Sequence, residues 1–191
     1  GCDCIGFWPP ALQAMQGMTE EQMLERLAAG LAPAAARAVS HGITAALEGE
    51  PPLVINTAQR LKSILQAVGK DLKVIFDPAH FDLLSGGNSQ PEFLLKEIGV
   101  DRVGYVQFTD GDGTIRRQPS GAVGTSKHIA AGDGQYDLYA VLKTLYDGKF
   151  SGWIQIDTWE TEDPYYASKA GRDTVKAVWT ALSPNLGVSN P

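Results

Sequence analysis

Cysteine is scarce in this chain, with two among 191 residues, Cys2 and Cys4. Two apart in an apolar segment, they are too few and too close for a disulfide framework or a zinc site, and they read as strand residues. Basic charge is also short: 16 Lys and Arg stand against 22 Asp and Glu, a net charge of -6. A broad phosphate-binding face draws on clustered cations, so nucleic acid is not an expected partner. No uncharged apolar run reaches the ~18 to 20 residues of a bilayer span, so no membrane-integral role is expected. The chain opens on Gly1 with neither an initiator Met nor a basic stretch ahead of an apolar one, so this does not read as a natural amino terminus. A cytoplasmic location is the default expectation. What is present is 43% hydrophobic residues, which excludes disorder and can fill the core of one domain.

Five strand-then-helix units follow one another, the pattern of a parallel sheet with crossover helices. The first strand covers 2–7, halted by Trp8-Pro9-Pro10, and its helix opens at the capping box Thr19-Glu20-Glu21-Gln22 and runs to Ser40, with a kink expected at Pro33. The second strand, 43–48, leads to a helix from Asn56-Thr57 to Gly69. The third, 72–77, leads to a helix that a second capping box, Ser89-Gln90-Pro91-Glu92, is expected to open. The fourth, 103–108, leads through a Gly-rich loop, 109–135, to a helix from Asp137. The fifth, 153–157, leads to a helix at Asp163-Pro164. One domain over 1–182 is expected, with 183–191 a flexible tail.

Chemistry on parallel barrels gathers at the carboxyl ends of strands. Strand two ends in Glu48, strand three in Asp77 and strand five in Asp157, while strand four places Gln107 one residue from its end. Glu48 and Asp77 are 29 residues apart and Asp77 and Gln107 are 30 apart, one unit each; the 50 from Gln107 to Asp157 fit one unit plus the long loop. Side chains alternate along strands, so four oxygen-bearing groups in register converge on one point if those faces turn inward. Three carboxylates brought together repel unless a cation sits among them, and an all-oxygen set favours Mn²⁺, Mg²⁺ or Co²⁺. Taken singly, each acidic residue is more often a helix cap or turn former.

Leu47-Glu48-Gly49-Glu50-Pro51, Phe76-Asp77-Pro78-Ala79-His80, Val106-Gln107-Phe108-Thr109-Asp110, Gly132-Asp133-Gly134 and Gly152-Trp153-Ile154-Gln155-Ile156-Asp157 together resemble the successive signatures of the xylose isomerase-like TIM barrels, from Ile5 to about Leu182. That group includes sugar phosphate isomerases and epimerases, ketose 3-epimerases, inosose dehydratases and type IV apurinic endonucleases. The resemblance implies an α/β fold of TIM-barrel type, in which this chain supplies strands four to eight of a (β/α)8 barrel and the first three units are absent. It also implies one divalent cation, Mn²⁺ foremost, held by Glu48, Asp77, Gln107 and Asp157, although Gln107 stands where the family usually has His and Asp157 where it has Glu.

The implied activity is isomerisation or epimerisation of a sugar or keto-sugar, with Glu48 and Asp157 as catalytic acid and base. A lyase or dehydratase on the same scaffold and a non-catalytic incomplete barrel are the alternatives; the endonuclease reading is weaker. His80 is expected to touch substrate or a further metal. His128, Arg116, Trp8 and Trp159 are candidate substrate contacts, the two rings as platforms for a sugar face. His41 sits at a helix end, where the dipole favours an imidazolium, and is read as structural. The expected partners are a small sugar or polyol and, through open edge strands, further copies of the chain.

Overall fold

The computed structural model describes residues 2–117, 120–121, 123–159 and 161–183. Five parallel strands, β1 (Cys4–Phe7), β2 (Thr44–Leu47), β3 (Leu72–Phe76), β4 (Val103–Phe108) and β7 (Ile154–Ile156), pair in chain order as half of a barrel wall. The helices between them are α1 (Glu20–Ser40), α2 (Ala58–Val68), α3 (Pro78–Leu84), α4 (Pro91–Ile98) and α5 (Leu138–Asp147), and α6 (Pro164–Leu182) follows β7.

Alternation sets the two faces of the sheet. Ala45, Leu47, Leu72, Val74, Phe76, Val106 and Phe108 join the buried core shared with the helices, which contribute Leu61, Ile64, Leu94, Leu95, Val141 and Leu142. The opposite face packs Gly6 beside Ile75 and Tyr105, where a Cβ on Gly6 would meet both side chains. The register of β3 against β4 slips between Val74 and Ile75, leaving Gly104 as the extra residue. This bulge changes the parity of β4, so that Val103, Val106 and Phe108 serve the core while Tyr105 and Gln107 turn to the inner face. A Cβ at Gly104 would collide with that of Ala46, which is why the bulge is built on glycine.

Most helix starts follow the sequence signals. Thr19 and Gln22 form the reciprocal cap of α1, and Thr57, Asp137 and Asp163 each accept a bond from the first turn of α2, α5 and α6. α1 runs through Pro33 as one helical element. Two expectations need correction. The second capping box does not form: α4 begins one residue later than expected, with Gln90 at the N-cap and no side-chain cap bond, while Ser89 lies ahead of the helix at a φ of 58° and the Gln90 backbone N–H donates to Asp82 Oδ1 at 3.3 Å. The third unit holds an additional helix, α3, and the Gly-rich loop carries an antiparallel pair, β5 (Ile115–Arg117) and β6 (Val123–Ser126). Of the expected tail, all but Ser183 lies outside the described residues.

Candidate metal and catalytic site

Glu48, Asp77 and Asp157 each follow the last residue of a strand, held there by the sheet: Glu48 N–H donates to Phe7 O and Asp157 N–H to Phe108 O. Asp77 divides its carboxylate. Oδ1 accepts from Ala79 and His80 N–H as the N-cap of α3, while Oδ2 is buried without a hydrogen-bond partner. The cap and the free oxygen are thus parts of one group. Because the cap winds α3 directly off β3, His80 falls in the first turn and its ring returns over the strand ends, 3% exposed.

The long loop supplies the other imidazole. Ser126 ends β6 and His128 follows two residues later, so both point to one side of an extended segment. Asp110 fixes the loop by accepting from Gly111, Tyr136, Gly132 and Gly134 N–H at 2.8, 3.2, 3.0 and 3.1 Å, beside a backbone bridge to Ile129. Gly134 is required here because a Cβ would run into that carboxylate.

The side chains form a row. Trp8 Nε1 donates to Glu48 Oε2, and Glu48 Oε1 lies 3.3 Å from His80 Nε2. His80 Nδ1 meets Ser126 Oγ at 2.7 Å, and Ser126 Oγ lies 3.2 Å from His128 Nε2. His128 Nε2 is 3.5 Å from Asp77 Oδ2, and its Nδ1 is 3.2 Å from Asp157 Oδ2 without hydrogen-bond alignment. Trp159 packs edge-on against the His128 ring at 5.5 Å, with the Arg116 guanidinium 5.0 Å from the Trp159 centroid. Gln107 Oε1, on the inner face of β4, is buried and unpartnered.

All the residues expected at the site are therefore at the carboxyl ends of the strands or in the loops over them. The packing differs from the expected all-oxygen set in one respect. One donor atom each from Asp77, His80 and His128 lies within 4.8 Å of the others, so two imidazoles share the centre with the carboxylates. The sequence pattern points to His128 as a substrate contact only. The i, i+2 spacing with Ser126 ahead of Gly132-Asp133-Gly134 is the one sequence signal of its inward aim.

Electrostatics follow from burial. Removal from water lifts the Asp77 carboxyl above its ordinary range, and Glu48 adds to this against the pull of His80 and His128. Burial alone would lower His80, but the Asp77 charge and the Glu48 hydrogen bond and charge outweigh it and raise the imidazole to about 9. Fully buried oxygens without donors, amid acidic groups and two ring nitrogens, make a donor set that fits a divalent cation.

A family model described as xylose isomerase-like TIM barrel matches residues 1–178. The chain belongs to the xylose isomerase-like TIM barrel family. Among solved structures, a D-tagatose 3-epimerase-like protein superposes with a TM-score of 0.71 at 18% identity, covering 94% of this chain and 64% of that one. The IOLI protein, solved with a bound zinc atom, gives 0.66 at 20% identity, covering 97% and 64%. An AP endonuclease of family 2 from Brucella melitensis gives 0.62 at 16% identity, covering 95% and 61%. These likenesses show the barrel fold, of which this chain spans somewhat under two thirds. No curated protein sequence matches the chain. Among the described residues no helix is long and apolar enough to cross a membrane.

Proposed function

We propose that the xylose isomerase-like chain is the metal-site part of a divalent-metal-dependent isomerase or epimerase acting on a sugar or keto-sugar. The observation that carries this reading is the placement of two carboxylates, Glu48 and Asp157, at the two ends of the His80–His128 row, with Asp77 Oδ2 free between them. Glu48, Asp77, Gln107 and Asp157 would hold the cation, Mn²⁺ by preference. When bound it supplies Lewis acidity to a neighbouring carbonyl and hydroxyl pair, acidifying the carbon between them.

Glu48 and Asp157 then work as a pair on opposite faces of that carbon, one removing the proton and the other returning one. Trp8 fixes the Glu48 carboxylate through its indole N–H and leaves Oε1 toward His80. His80 and His128 stand where substrate hydroxyls would be hydrogen-bonded, and Trp8 and Trp159 offer ring faces to the apolar side of a sugar. Arg116, held against Trp159, adds a cation at the rim.

Solvent deuterium exchange into a keto-sugar tests the reading, in the protein carrying its complete barrel. Losing one general base typically lowers rate ~10² to 10⁴-fold, so Glu48→Gln and Asp157→Asn should each stop exchange while the fold survives. Exchange at the parent rate in both variants makes these carboxylates structural and removes the epimerase reading.

A further inference from the structure

We propose that His128 is an imidazole ligand of the cation, delivered by the loop after β6, and that it supplies the nitrogen donor which β4, ending on Gln107, lacks. The inference rests on the metal-dependent reading above and gives His128, in place of a substrate contact, the role of a ligand from outside the strand ends. Asp77 Oδ2 is the first observation. Its residue is fully buried, its sister oxygen is committed to capping α3, and it has no hydrogen-bond donor, yet His128 Nε2 stands 3.5 Å away. Two donors each ~2.1 Å from one ion at a near-tetrahedral angle are separated by about that distance.

The far side of the ring is the second observation. His128 Nδ1 lies 3.2 Å from Asp157 Oδ2 without the alignment of a hydrogen bond, so the carboxylate sits beside the far edge of the ring while Nε2 is turned toward Asp77. Ser126 is the third. It is 1% exposed, and its hydroxyl joins His80 Nδ1 at 2.7 Å to His128 Nε2 at 3.2 Å, so in the ion-free chain it holds that nitrogen beside Asp77, a bond that Nε2 exchanges for the ion on ligation. The rival tenant of this place, the Gln107 carboxamide, is a neutral oxygen donor. A nitrogen donor is better matched to Mn²⁺, Co²⁺ or Zn²⁺ than to Mg²⁺, which keeps to oxygen.

The test uses the full chain and Mn²⁺ alone, read by calorimetry and by electron spin echo modulation from imidazole ¹⁴N. The parent chain should bind the ion with ¹⁴N modulation. His128→Gln should bind it at least about tenfold more weakly with shallower modulation, since even partners outside the ligand set cost 10 to 100-fold. His128→Asn is a second variant read the same way, should the first not fold. His41→Gln, at an exposed helix end, should change neither readout. Unchanged affinity and modulation in the folded His128 variants overturn the inference and leave the strand-end ligands standing. A parent chain that binds no Mn²⁺ takes down both readings.

Discussion

A single side chain at the centre of this site carries two demands. Asp77 Oδ1 must accept two backbone N–H bonds for α3 to start where it does, and that start is what brings His80 over the strand ends. Its other oxygen is left buried and unpaired, with Glu48 near enough to push its pKa up further. In the metal-free chain the histidines offset this charge. His80 is raised from 6.5 to about 9, so the folded chain holds its proton more tightly than the unfolded chain does. A raised folded pKa contributes stability that is complete below the unfolded value and is lost as pH climbs through the folded one. The raised Asp77 carboxyl has the same sign, favouring the protonated folded state at lower pH. In EDTA, therefore, the urea midpoint should fall between pH 6.5 and about 9, and His80→Gln should flatten the fall. A midpoint that rises across this interval would contradict the charge arrangement described for Asp77, His80 and Glu48.

At the scale of elements, the loop between β4 and α5 decides whether the second imidazole reaches the site. Asp110 is 1% exposed and is bonded to four backbone N–H groups from both ends of that loop. Hydrogen bonds to a charged group contribute about 1.5–3 kcal/mol each, and their loss strands buried donors. Asp110→Ala should cost about 3 kcal/mol or more in denaturant unfolding, with Asp110→Asn milder, and it should weaken Mn²⁺ binding without touching a strand-end residue. Elements marked by punctuation were legible in sequence: strands closed by Gly or Pro, and helices opened by Thr19, Thr57, Asp137 and Asp163. The positions of Glu48, Asp77, Gln107 and Asp157 were legible too, because a period of two and a repeat near 30 residues need no tertiary knowledge. Helix α3 was hidden because Asp77-Pro78 serves at once as strand end and helix start, and the helix's seven residues are short for a periodicity signal. β5 and β6 were hidden because three- and four-residue strands in a Gly-rich stretch carry almost no alternation. The Ser89–Glu92 capping box failed because α4 starts one residue later, with Gln90 as its N-cap, and Ser89 stands ahead of it in a positive-φ turn. His128 belongs with these: its aim at Asp77 is a property of the folded loop, not of its neighbours in the chain.

Over the whole molecule, the parallel sheet has two outer strands, and among the described residues nothing pairs with the free side of β1 or of β7. Parallel sheets are ordinarily closed or covered because each bare edge presents a row of unsatisfied backbone donors and acceptors. Trp153, just before β7, is 68% exposed, and Phe150, Ile154, Val175 and Trp179 line an apolar groove between β7 and α6. The solved relatives are longer, this chain covering 64% of the IOLI protein and of the D-tagatose 3-epimerase-like protein. In the isolated 191-residue chain the β7 edge and its groove should therefore be sticky in the same place, strand against strand and apolar surface against apolar surface. Static light scattering on the purified chain should give masses above the 20.4 kDa of one copy, rising with concentration. Edge lysines are a common device against such pairing, so Trp153→Lys should shift the distribution toward a single copy while leaving Mn²⁺ affinity unchanged. That pairing of outcomes separates edge association from general instability, since a chain that aggregated through unfolding would lose its ion as well. A parent chain that stays at one copy at high concentration would mean that β1 and β7 are shielded without a partner, and that five strands of this wall are self-sufficient.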